Sequence, residues 1–164
     1  MDLRESPPFP SLRSICFYLG KSIWKMCMRW ANACSLVLTQ WHELELSPPL
    51  RDVIWWRLGT AAYDARKEDE ATKALEELLG YLEKTLEGRA WLVNEDQSAG
   101  PSLADLTVGA SVLFACRFYI DKAMRERLPN TMAHLARLRS VQGLRELFTI
   151  HMIEERRPPP GASS

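Results

Sequence analysis

The chain lacks an excess of charge of either sign: 21 Lys plus Arg against 21 Asp plus Glu leave a formal net charge of zero. Nothing in that balance calls for a nucleic acid or an anionic membrane as partner. It also lacks a Cys-x-x-Cys pair. Cys16, Cys27, Cys34 and Cys116 are scattered, and His42, His134 and His151 lie far from them and from one another, so the spacing argues against a zinc site and no metal is expected. A secretory leader is not expected either, since Asp2 and Glu5 occupy the would-be basic region and Ile15 to Gly20 is a short apolar core. Four cysteines without a leader fit a reducing, cytoplasmic compartment, where they serve as small buried apolar groups.

No long hydrophobic run is present either. Ile15 to Leu38 comes nearest, but Lys21, Lys25 and Arg29 interrupt it before the roughly 18 apolar residues that a membrane span needs. Those bases, at i, i+4 and i+8, stripe one face of a helix with Trp24, Cys27 and Met28 off that face. The segment reads as a helix packed on its own domain, with a membrane-surface helix as the alternative.

What is there is helix after helix. At 164 residues, 46% hydrophobic and 26% charged, the chain has enough material for one domain with a real core. Charge is unevenly spread: +3 over residues 1–34, −7 over 35–116 and +4 over 117–164. The acidic middle reads as a solvated face or as a docking surface for a basic partner. Residues 35–46 look helical up to Ser47-Pro48-Pro49, where the prolines end the segment or restart it in a new direction. Leu50 to Tyr63 resumes. Lys67 to Leu86 has the clearest period, with Ala71, Leu75, Leu78, Leu79, Leu82 and Leu86 at spacings of three and four, acids at its start and Gly88 just past its end. Shorter amphipathic stretches follow at Met132 to Leu138 and Leu144 to His151, after a polar piece from Asp121 to Arg127 that Pro129 ends. The tail, residues 156–164, has little to bury and is expected to be disordered.

The most informative stretch is Ser102-Leu103-Ala104-Asp105. It has the pattern of a capping box, in which the Ser hydroxyl accepts from the third helical N-H and the acid reaches back to the Ser N-H. The apolar run from Leu106 to Ile120 that follows reads as a helix apolar around most of its circumference, which several other helices must bury. Asp105 is therefore assigned to folding, with a cap worth about 1 kcal/mol. The expected architecture is all-α, a bundle wrapped round one central helix.

These pieces carry a resemblance. Residues 35–155 resemble the helical C-terminal domain of glutathione transferases, in the fungal type related to elongation factor 1B gamma. The features that match, in order, are Gln40-Trp41 opening a helix, Pro48-Pro49 interrupting it, Leu58-Gly59 and Tyr63 before the amphipathic helix, Trp91-Leu92-Val93 ahead of the Ser102–Asp105 box, and Leu128-Pro129-Asn130-Thr131 before the last helices. Two features depart from the family pattern: residues 94–101 lengthen the loop, and Met132-Ala133-His134 stands where such domains often place an aromatic residue.

The resemblance implies an enzyme that uses glutathione as co-substrate, lowers its thiol pKa and lets the thiolate attack a small-molecule electrophile. It implies that the tripeptide sits on a thioredoxin-like domain, of which residues 1–34 are at most an incomplete portion. Leu3-Arg4-Glu5-Ser6 is similar to the family's Glu-Ser motif, so Glu5 and Ser6 are the candidate glutathione-binding residues; the alternative is an irregular, proline-rich N-terminus. The thiol-activating residue then lies outside this chain, and the chain alone is not expected to be competent. Trp41, Leu44 and Tyr119 are the candidate walls of the electrophile pocket, or else ordinary core. Detoxification or secondary-metabolite chemistry, and a homodimer, are implied in the same way. The rival implication is a non-catalytic module that docks a protein partner, as in elongation factor 1B gamma.

Overall fold

The computed structural model describes residues 33–93 and 100–160, and among them every regular element is helical. Helix α1 covers residues 33–41 and passes through a π-helical turn, His42–Leu46, directly into α2, Ser47–Ile54. Then come α3, Ala65–Thr85, α4, Leu103–Phe118, α5, Lys122–Glu126, and α6, Pro129–Ser140. The prolines at 48 and 49 therefore neither end the segment nor restart it elsewhere. In a regular helix their rings would meet the carbonyls four residues back. Here the Ser47 N-H bonds to the His42 carbonyl five residues back, and this wider turn shifts those carbonyls just before the prolines enter.

Asp64 caps α3, its carboxylate accepting from the N-H groups of Arg66 and Lys67 at 3.0 and 3.2 Å. The helix buries Ala71, Leu75, Leu79 and Leu82, the face that its period marks out, and Gly88 at φ 68° turns the chain away after it. One polar residue lies on the buried side. Glu68 accepts from Trp56 Nε1 and from Arg57 Nη2, both at 2.7 Å, and the Arg57 guanidinium lies 4.2 Å from the Trp56 ring centre.

Helix α4 is the core element, burying Ala104, Asp105, Val108, Gly109, Val112, Leu113, Ala115 and Cys116. It runs parallel to the first helix in fixed register: Ser35 Oγ accepts from the Ala104 N-H, and His42 Nε2 meets Ser111 Oγ, each pair 69 residues apart. The expectation that α4 is enclosed around most of its circumference needs correction on one side. Leu103 and Phe114 are 54% and 44% exposed, and Leu36 and Val37 on α1 are 64% and 67% exposed.

The capping box is present, and it does more than cap. Asp105 is fully buried. Its Oδ2 accepts from the Ser102 N-H at 2.7 Å and from the Ser102 hydroxyl at 2.6 Å, while that hydroxyl accepts from the Asp105 N-H at 3.3 Å. Oδ1 accepts from the Leu92 N-H at 2.7 Å and faces His134 Nε2 at 2.9 Å. Burial pushes the Asp105 pKa up, but the His134, Leu92 and Ser102 hydrogen bonds outweigh it and the net shift is downward.

Three other expectations change. Asp121 to Arg127 contains a short helix, α5, because the Asp121 side chain caps the Met124 N-H at 2.9 Å. Leu144 to His151 is not helical; the chain turns there, with Gly143 at φ 85°. The tail packs further than Glu155: Arg156 lies over the Tyr119 ring at 4.2 Å and reaches Asp121 at 3.4 Å, and Arg157 donates to the Arg57 carbonyl at 3.2 Å. These cations find aromatic and carbonyl partners that composition does not reveal.

Two stability predictions follow from α4. Asp105→Ala leaves several buried donors without an acceptor, so the expected loss in chemical unfolding is about 3–5 kcal/mol rather than that of a simple cap. Because the folded pKa is depressed, this contribution is present above the unfolded value near pH 3.9 and is lost as pH falls below it. The gap between wild type and mutant should therefore narrow from about pH 5 to pH 2; a constant gap would refute the role of the ionised carboxylate. Gly109→Ala should also destabilise. Helix propensity alone favours Ala by about 1 kcal/mol, but the new methyl group would collide with Leu138 Cδ1 and stand 3.2 Å from Phe148 Cε1. Overpacking at about 1–3 kcal/mol wins, and a raised melting temperature would overturn this.

Candidate functional site

Two depressions flank the α1–α2 segment. The larger, about 680 Å³, opens between it and α3, and Trp41 and Leu44 line it together with Pro48, Pro49, Leu78 and Tyr81. Trp41 and Tyr81 stand with ring centres 5.9 Å apart at 52°. Glu45, Asp52, Glu70 and Glu77 also line it, against Lys67 as the single base among its lining residues. It is thus an apolar floor between acidic walls, lined by four of the fourteen acids of residues 35–116.

The smaller depression, about 230 Å³, lies between α2 and α4 and is lined by Ser47, Leu50, Arg51, Ile54, Trp55, Ala110, Ser111 and Phe114. The Arg51 guanidinium sits 5.7 Å from the Trp55 ring centre. Ser111 is the hydroxyl at its α4 wall, and behind it stands His42, buried and 2.5 Å away through Nε2. His42 Nδ1 lies 3.2 Å from Glu43 Oε1, off the angle of a hydrogen bond.

The candidate wall residues thus do not form one site. Trp41 and Leu44 share the larger groove, which is faced by α3 and not by the central helix. Tyr119 lines neither depression. It is fully buried, its hydroxyl donates to Thr72 Oγ1 at 3.0 Å, and the guanidinium groups of Arg57 and Arg156 flank its ring. A tyrosine near the end of an apolar helix reads as ordinary core or as a pocket wall, and the Arg156 contact that helps enclose it comes from residues far along the chain. Ser102 and Asp105 serve folding. Glu5 and Ser6 lie outside the described residues.

Sequence reasoning missed His42 and Ser111 as a pair. Neither belongs to a local motif; the only signal was that both lie on helices whose parallel register was unknown. Thiolate chemistry is not assembled among the described residues. Cys116 is buried, and desolvation raises its thiol pKa to about 11 against a small opposing effect of Arg125. Described residues contain no cluster of three or more His, Cys, Asp or Glu able to hold a metal, and no helix among them is long and apolar enough to cross a membrane. What they offer is two depressions with apolar and aromatic walls and one His-paired hydroxyl.

Comparison with known proteins places this geometry. The chain is 36% identical over 119 residues to the glutathione S-transferase-like protein LUC7 of a Fusarium species, covering 71% of this chain and 52% of that protein. It is 32% identical over 127 residues to the glutathione S-transferase-like protein FUS3 of Gibberella fujikuroi, covering 75% and 59%. The chain thus spans somewhat more than half the length of these relatives. Its fold is similar to the crystal structure of the GST-like domain of elongation factor 1-gamma from Saccharomyces cerevisiae, with a TM-score of 0.71 at 18% identity over 79% of this chain and 58% of that one. The family model for the glutathione S-transferase C-terminal domain matches residues 36–141, and the chain belongs to that family.

Proposed function

We propose that this chain is the electrophile-holding half of a glutathione transferase-like protein, acting on a small apolar or aromatic electrophile in detoxification or secondary-metabolite chemistry. The observation that carries this reading is the uncovered apolar stripe of Leu36, Val37, Leu103 and Phe114, in a chain that spans little more than half the length of its relatives. An apolar stripe of this kind on the central helix and its parallel neighbour is what a second layer of structure would cover. A thioredoxin-like, glutathione-binding half is the layer that the family supplies. A free thiol with pKa near 8.5 is mostly protonated at neutrality, so activating it falls to that half. The small depression beside Phe114 and Trp55 then supplies the apolar wall against which the electrophile rests.

A second reading has its own observation. The groove with four carboxylates on an apolar floor suits a basic amphipathic segment of a protein partner or of a second copy of the chain. That fits a docking module of the elongation factor type.

Retention on immobilised glutathione and turnover of 1-chloro-2,4-dinitrobenzene test the first reading. The chain alone should neither be retained nor exceed the uncatalysed thiol reaction. Co-expressed with the N-terminal half of the Fusarium relative, it should be retained and should turn over. Turnover by the chain alone would overturn the division of labour, and failure with that half supplied would favour the docking module.

A further inference from the structure

Ser111 does not behave as a helical hydroxyl usually does. Thr107, one turn earlier, donates back to the Leu103 carbonyl at 3.1 Å, the ordinary arrangement for such a side chain. Ser111 instead reaches across the helix seam to His42 Nε2 at 2.5 Å. His42 stands at the start of the π-helical turn, a distortion often found where a helix presents a functional group, and its side chain is only 7% exposed.

The direction of that hydrogen bond follows from the other ring nitrogen. Nδ1 lies 3.2 Å from the Glu43 carboxylate, off the angle of a hydrogen bond, so only charge couples the two. A bare Nδ1 lone pair would oppose a carboxylate oxygen, whereas an Nδ1-H is attracted to it. The proton belongs on Nδ1, so Nε2 is the acceptor and Ser111 donates to it. Hydroxyl and imidazole then stand in the order that turns a serine into a nucleophile, with the base placed to accept the proton, and the nearby carboxylate favours the required tautomer through its charge alone. The hydroxyl opens onto the depression of about 230 Å³, whose walls include Leu50, Ile54, Trp55 and Phe114 and whose single cation is Arg51.

The geometry points to an acyl-transfer site: Ser111 takes the acyl group of a small activated ester, with His42 as general base, Glu43 as positioning residue and Arg51 as the cation that lines the depression. Ser111 Oγ attacks the acyl carbon as its proton passes to His42 Nε2. The bond from that carbon to the leaving oxygen breaks, and His42 returns the proton to the departing alkoxide or phenoxide. Water repeats the sequence on the acyl-serine and releases the carboxylic acid. The volume suits a short acyl or aryl group. The reaction uses no glutathione, so it stands whether or not the conjugation reading does.

The test is p-nitrophenyl acetate with the whole chain in a Cys16→Ser, Cys27→Ser, Cys34→Ser background, which leaves the buried Cys116 as the one remaining thiol. The expected result is a burst of nitrophenolate of about one equivalent and a mass gain of about 42 Da that peptide mapping places on Ser111. Ser111→Ala should abolish the burst, and His42→Gln should slow it about a hundredfold, the usual worth of a general base. Glu43→Gln should lower the maximal rate about tenfold and leave the half-saturating ester concentration unchanged, as expected of a residue that acts through His42. Each variant is compared at an unchanged circular dichroism spectrum. Acetyl groups confined to lysines, with the Ser111 peptide unmodified in the parent protein, would overturn the proposal, as would an undiminished burst in a folded Ser111→Ala.

Discussion

The carboxylate of Asp105 is the constraint on which the rest of this structure depends. An ionised acid with no solvent exposure is tolerable only when its lone pairs are taken up by well-placed donors. Those donors come from three places: the Leu92 N-H of the loop after α3, the Ser102 N-H and hydroxyl at the start of α4, and His134 on α6. A misplaced loop or a rotated α6 would strand the charge. Residues 91–93 are buried as a result, and Trp91 stacks edge-on against His134 with centres 5.9 Å apart. The network thereby binds loop, helix start and last helix into one unit, at an energy several times that of an exposed cap.

Around that anchor the first helix is laid parallel to α4, and its two polar contacts to it differ in kind. Ser35 accepts the Ala104 N-H, satisfying a donor that the start of any helix leaves free. His42 to Ser111, seven residues further along both helices, satisfies no such need of the backbone. The two side chains satisfy each other across the seam instead. The π-helical turn belongs to the same region: it carries the helix into Pro48 and Pro49 and brings Trp41 and Leu44 toward α3 while His42 faces α4.

What could be read in the sequence was local or periodic. The Ser102–Asp105 box is a contact over three residues, and the α3 stripe repeats over about four turns, so both are visible without the fold. Asp105's larger role was hidden because its decisive partner, His134, stands 29 residues away in a position that resembled a departure from the family pattern. α5 was hidden because five residues are too few to show a period. The tail misled because Arg156 docks on the Tyr119 ring, a contact neither partner advertises. The stretch from Leu144 to His151 erred in the other direction, having helical spacing without helical backbone. The candidate site was legible as an element, the helix opening at Gln40-Trp41, but not as a set of residues, because the side of a helix that meets the central helix depends on a register that only packing decides.

These facts separate folding from function along a single helix. Asp105 and Ser111 are six residues apart on α4, and at 100° per residue their side chains leave the axis about 120° apart. One direction leads into the network with α6 and the loop, the other to the first helix and the depression beside Phe114. Groups that share neither partners nor packing vary almost independently. A family using this domain can therefore hold the Asp105 anchor while the hydroxyl, the aromatic wall and the groove behind Trp41 change. Lineage is read most clearly from the anchor because it is tied to the core, and chemistry least clearly because it is built on the faces the core does not constrain.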